Sequence, residues 1–238
     1  MIVLAIDTCD MGGSVAVLRD EAVLKVVVHD SNQEYSAWLL PAVREALANS
    51  GLQMENVDAY AAAAGPGSFT GVRVGLATVK AWAEVYGKRI VAVSRLEALA
   101  VEASEGPVCV AAFANAQRGQ VFGAIYERNG TGLVRLGDEM VLAPGKFVET
   151  AGEFAKGEGI SWISTDAECL VSEEAWKARQ MRGEIVECVS TVRAPMIARI
   201  GLAALAKARF TDALALDANY VRRPDAEISW KRRPVHGR

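Results

Sequence analysis

The sequence predicts an α/β protein built as two lobes, and three observations carry that prediction. Short apolar or alternating runs and helical periodicities follow one another in the order β-β-β-α-β-α-β-α as far as residue 103. A turn at Gly106-Pro107 then precedes a new series of strands followed by helices. The length of 238 residues suits one large domain or two lobes of about a hundred each. The turn is the best boundary between them, giving lobes at residues 1–105 and 106–238.

The elements follow from local chemistry. Ile2 to Thr8, Ser14 to Arg19 and Ala22 to Val28 read as a three-strand antiparallel meander, turned at Asp10-Met11-Gly12-Gly13 and at Arg19-Asp20-Glu21. Ser31 with Glu34 is a capping box for a helix in which Tyr35, Trp38, Leu39, Ala42, Val43, Ala46 and Leu47 recur at helical spacing until Gly51. Pro41 removes one i to i−4 bond inside it and predicts a kink or a break. Val57 to Ala64 is a strand whose small side chains suit cover on both faces, and Arg89 to Val93 is another. Ser94 with Glu97 caps a short helix through Ala103.

Beyond Gly106-Pro107, strands are predicted at Val108 to Ala114, Gln120 to Arg128, Leu133 to Val141, Ile160 to Ser164 and Glu184 to Cys188. Helices are predicted at Pro144 to Ala155, Glu173 to Met181 and Ala194 to Ala208, the last with Pro195 in its first turn. The tail from Leu214 holds a brief strand or extended piece at Asn219-Tyr220-Val221-Arg222. Trp230 in its polar remainder suggests docking onto the body of the protein.

The chain is organised around Ala61 to Tyr86, where a strand turns through Gly65-Pro66-Gly67-Ser68 into a helix. Gly65 and Gly67 admit conformations that a Cβ forbids, Pro66 presets a φ angle, and Ser68 or Thr70 offers an oxygen to the first free N–H groups. Among Gly71 to Tyr86 only Arg73, Lys80 and Glu84 are charged, so the helix is apolar around most of its circumference and needs cover on more than one side. Gly71 and Gly75 leave a groove for a second helix, from the same lobe or from a partner. No phosphate-binding signature fits the loop, since neither G-x-x-x-x-G-K-[ST] nor G-x-G-x-x-G matches.

Composition excludes several classes. Hydrophobic residues make up 51% and charged residues 23%, and each apolar run is far shorter than a membrane helix requires. The opening Met1 to Asp7 has no basic segment and reads as a first strand rather than a signal peptide, which places the protein in the cytoplasm. The four cysteines show no C-x-x-C spacing. With only His29 and His236 available, nucleophile–histidine triads and two-histidine metal sites are nearly excluded by inventory. The net charge of −3 argues against general nucleic-acid coating. From Lys207 onward eight basic residues face four acidic ones, so a basic tail remains in view.

Three segments together resemble the TsaB family, also called YeaZ. They are Leu4-Ala5-Ile6-Asp7-Thr8 with Ser14-Val15-Ala16-Val17, the block from Gly65 to Gly75, and Tyr220-Val221-Arg222 with Trp230-Lys231. The resemblance implies a two-lobed fold of the actin and hexokinase (ASKHA) type, with a mixed sheet in each lobe. It implies a non-catalytic partner of a TsaD-like subunit that attaches threonylcarbamoyl to the adenosine beside the anticodon of tRNA. It also implies a TsaE-like ATPase at the complex, a homodimer when alone, and no cofactor. The catalytic paralogue carries two metal-ligating histidines where this chain has Tyr35 and Leu39, so no bound metal is expected. One segment departs from the family, in which Asp-Ala-Arg precedes Gly-Glu-Val-Tyr. Here Asn115-Ala116-Gln117 precedes Gly119-Gln120-Val121-Phe122, which removes charged contacts there.

Two readings of Asp7 remain open at this point: a catalytic carboxylate of an ATP-binding enzyme, or a turn-capping residue bonded to its own loop, which is the favoured one. The helices at Ser31 to Ser50 and Thr70 to Tyr86 are expected to present the partner surface through Tyr35, Trp38, Leu39, Gly71, Arg73, Gly75, Thr78, Val79 and Trp82.

Overall fold

A computed structural model describes residues 1–29, 32–130 and 132–222. The chain opens on β1 (Ile2–Asp7), β2 (Ser14–Arg19) and β3 (Ala22–Val28), paired antiparallel in that order. There follow α1 (Tyr35–Asn49), a short 3-10 turn at Met54–Asn56, β4 (Ala59–Ala63), α2 (Phe69–Tyr86), β5 (Arg89–Val93) and α3 (Arg95–Ala100). β4 pairs parallel with β1 and β5 parallel with β4, giving a mixed sheet in the order β3-β2-β1-β4-β5. The second half repeats this plan. A meander of β6 (Cys109–Asn115), β7 (Val121–Asn129) and β8 (Gly132–Leu142) leads to α4 (Pro144–Ala155), β9 (Ile160–Ser164), α5 (Glu168–Val171), α6 (Glu174–Gln180), β10 (Val186–Cys188) and α7 (Ala194–Ala206). Its sheet order, β10-β9-β6-β7-β8, is that of the first sheet with equivalent strands in equivalent places. This duplicated mixed sheet flanked by helices is the two-lobed ASKHA architecture.

The last helix of each half crosses to the other sheet. α3 packs on β6, β7 and β9, and its Leu96, Leu99 and Ala100 share a core with Val110, Ala112 and Ile163. α7 packs on β1, β2, β4 and β5, and places Ile197, Ala198 and Leu205 in the first core. The alanine-rich β4 answers this closeness. A Cβ on Gly201 of α7 would come 2.8 Å from the Cβ of Ala61, so the helix rests on the sheet with room for little more than methyl groups. Buried Ser14 fastens the far end, its Oγ accepting from the first N–H of α7 at 3.1 Å.

The structure corrects two local expectations, at the start of α1 and the end of α3, and narrows two others. α1 begins at Tyr35, with Glu34 at its N-cap and no side-chain cap bond, and Asn32 and Gln33 lie outside the helix. Ser31 falls outside the described residues. Pro41 does not break α1, because both it and Ala37, whose carbonyl loses its partner, are exposed and water can satisfy that oxygen. Asn219 to Arg222 forms no strand and lies against both lobes. α3 ends at Ala100 rather than Ala103. Trp230 and its neighbours fall outside the described residues, in which no helix is long and apolar enough to cross a membrane.

Candidate functional site

The turn into α2 is built against the end of β1. Ser68 caps the helix, its Oγ accepting from Gly71 N–H at 3.3 Å, while its own N–H donates to the Cys9 carbonyl at 2.6 Å. Thr8 Oγ1 donates to the Gly71 carbonyl at 2.7 Å. Cβ atoms at Gly67, Gly71 and Gly75 would overlap Cys9, the Thr8 carbonyl and the Thr8 hydroxyl respectively. The three glycines therefore let the first hairpin lie directly on the helix, and the Gly71–Gly75 groove is filled from within the lobe by Thr8. This corrects the expectation of a groove open to a second helix.

Asp7 ends β1 with no exposed surface. Its Oδ1 accepts from Cys9 N–H at 2.8 Å, and its Oδ2 faces Arg95 Nε at 3.2 Å. Arg95, also buried, reaches Asp10 Oδ2 at 3.0 Å through its other nitrogen, and its backbone N–H donates to the Gly65 carbonyl. Burial alone would lower the guanidinium pKa, but Asp7 and then Asp10 outweigh it and hold the group more firmly charged than usual. Asp7 is thus a turn cap and half of a buried ion pair, with both oxygens engaged. Cys9 beside it is buried, and burial and then Asp7 push its thiol well above the ordinary range, which disfavours the thiolate. Among the described residues no group of three or more His, Cys, Asp or Glu side chains is placed to hold a metal ion.

Arg95 is the site residue that sequence reasoning missed. A basic residue in the first turn of a helix opposes the helix dipole, which signals a need for a carboxylate partner.

The nine residues expected on the α1–α2 face fall into two layers. Leu39 and Val79 are fully buried, Trp38 nearly so, and Gly71 and Gly75 are covered by Thr8, so these five support the face from beneath. Arg73 is exposed, and Tyr35, Thr78 and Trp82 are half-buried. Tyr35 closes over the first hairpin: its hydroxyl accepts from Gly13 N–H at 3.0 Å and donates to the Asp10 carbonyl, and its ring stacks on His29 at 4.2 Å. The outer layer also includes residues outside the expected set. Leu40 of α1 is 56% exposed and Val85 of α2 74%, and Ala77 and Ala81 of α2 are exposed too. Leu40, Val43, Leu47, Leu52, Met54 and Trp82, together with Arg44 and Gln53, line a mainly apolar groove of about 530 Å³ beside α1.

Between the lobes runs a second concavity of about 490 Å³, bordered by the 66–69 turn, the 115–118 loop and residues 219–222. Two of the three neutral amides that depart from the family pattern, Asn115 and Gln120, are engaged through their side chains. Asn115 donates to Asp166 at 3.1 Å and accepts from Gln117 N–H, and Gln120 accepts from Arg222.

A family model described as TsaD: tRNA N6-adenosine threonylcarbamoyltransferase matches residues 26–230. The chain belongs to this family, with the TsaB (YeaZ) proteins. It is 33% identical over 131 residues to the tRNA threonylcarbamoyladenosine biosynthesis protein TsaB of Bacillus subtilis, a match covering 55% of this chain and 57% of that protein. It is 34% identical over 135 residues to TsaB of Escherichia coli, covering 56% and 58%. These matches span a little over half the length of the curated relatives. The solved structure of YeaZ from Pseudomonas aeruginosa superposes with a TM-score of 0.67 at 25% identity, covering 91% of this chain and 98% of that one. The TsaB resemblance and the fold it implies therefore hold across nearly the whole architecture.

Proposed function

We propose that the chain is a non-catalytic subunit of the assembly that transfers threonylcarbamoyl to the adenosine beside the tRNA anticodon, docking through its α1–α2 face on a TsaD-like catalytic subunit. The observation that carries this reading is the outward side of α1 and α2, where Leu40, Ala77, Ala81 and Val85 are exposed and Leu40 and half-buried Trp82 line a groove. A soluble protein rarely leaves such a surface uncovered. The engagement of both Asp7 oxygens by Arg95 and Cys9 N–H supports the non-catalytic part. The names of its TsaB relatives support the pathway. In this reading the chain works in the cytoplasm without a cofactor, pairs with itself when the catalytic subunit is absent, and meets tRNA and a TsaE-like ATPase only within the complex. The basic tail at Lys231, Arg232 and Arg233 falls outside the described residues.

The test is size-exclusion chromatography with light scattering, using the chain with and without a TsaD-like protein. Gly75→Arg would collide with Thr8 and report on packing, so the informative variants are Leu40→Arg and Ala81→Arg, which place an unpaired charge in the contact. Each is expected to weaken assembly at least tenfold with an unchanged melting temperature. Assembly at wild-type affinity, or ATP hydrolysis by the chain alone, would overturn the reading.

A further inference from the structure

The segment after α7 first follows one lobe and then joins both. Thr211 N–H donates to the Ile90 carbonyl at 2.8 Å, and Leu216 is buried in the first core. From Asn219 the contacts alternate between lobes. Asn219 N–H donates to the Ala64 carbonyl at 2.8 Å in the first lobe, while its side-chain amide donates to Glu139 of β8 in the second at 2.5 Å. Tyr220 returns to the first lobe, where its hydroxyl accepts from Arg73 Nε at 2.8 Å and its ring packs on Phe69. Val221 packs into the core that contains Phe122 and Tyr126, and Arg222 donates to the Ala116 carbonyl at 2.8 Å and to the Gln120 side chain in the second lobe.

Four consecutive residues thus tie the two borders of the interlobe cleft together and form part of its wall. The points they join are the end of β4 and the start of α2 on one side, and β8 and the 116–120 loop on the other. These are the edges that must separate if the cleft is to widen. Glu139, whose side chain is only 3% exposed, anchors the closure by also accepting from Ser94 at the start of α3 and from Arg135.

We propose that residues 219–222 are a clasp that holds the two lobes at one fixed angle, and that the cleft opens only when this clasp lets go. Of its two second-lobe anchors, Asn219 on the Glu139 carboxylate and Arg222 on a neutral amide and a carbonyl, the Arg222 anchor is weaker than a guanidinium on a carboxylate. The strength of the Arg222 anchor can be moved both ways. Arg222→Ala removes the anchor, and Gln120→Glu converts it to an ion pair.

The experiment is hydrogen–deuterium exchange on the full chain and both variants, alongside a thermal melt. In Arg222→Ala, exchange is expected to rise about tenfold both at the 116–120 loop and at the Asn219 amide, which sits on the opposite lobe. The amides of β1, β4 and β6 should stay protected. In Gln120→Glu the same two sites should exchange more slowly than in the parent. A rise confined to the 116–120 loop would show independent anchors and overturn the proposal. So would no change at either site, or an equal rise across all strands.

Discussion

At the scale of single residues the site turns on Asp7 and on what stands beside it. An acid at the end of a first strand was readable as catalyst or, more readily, as turn cap, and the residue that decides between them, Arg95, lies 88 positions away. Asp7→Asn separates the roles. It leaves Arg95 buried with only the partly exposed Asp10 as counter-charge, and breaking a buried pair in this way costs about 3–5 kcal/mol. Chemical denaturation is expected to show that loss, while complex-dependent tRNA modification per folded molecule stays unchanged. A stable but inactive variant would return Asp7 to catalysis. The glycines teach the same lesson from the other side. Gly71 and Gly75 announced a close approach through their one-turn spacing, but nothing local said that Thr8 would make it, since the contact joins positions 63 apart.

Among the elements, legibility followed length and punctuation. β2, β3, β5, β9 and α4 stand where alternation, turn residues or a leading proline placed them. α5, at four residues, and the 3-10 turn at Met54–Asn56 are too short to show a period, and went unread. In α1 the capping-box pattern pointed to Ser31, yet the helix starts where Tyr35 is held by the first hairpin, so a tertiary contact overrode a local signal. Pro41 shows a penalty tolerated rather than relieved. It sits in an exposed stretch of helix, where proline costs about 3 kcal/mol relative to alanine. Pro41→Ala is expected to raise stability to urea by up to about that amount. No gain would mean that the ring itself packs against something in the native assembly.

At the scale of the whole molecule, the crossing of α3 and α7 matters most. Sequence order divides the chain near Gly106, but each sheet takes one of its covering helices from beyond that division. A fragment of residues 1–105 keeps all five strands of the first sheet and loses α7, baring the side of β1, β4 and β5 on which Ile197 and Leu205 rest. Circular dichroism and light scattering of that fragment are expected to show an aggregating, incompletely folded chain, rescued by a co-expressed segment containing α7. A monomeric, cooperatively melting fragment would show that the lobe stands alone. The same crossing sets a clock on biosynthesis. About a hundred residues separate the end of β5 from the start of α7. A ribosome adding 5–20 residues per second takes roughly 5–20 s to bridge that gap. Through that interval the first lobe waits with one face of its sheet bare, and a chaperone, or the emerging second half, has to guard it.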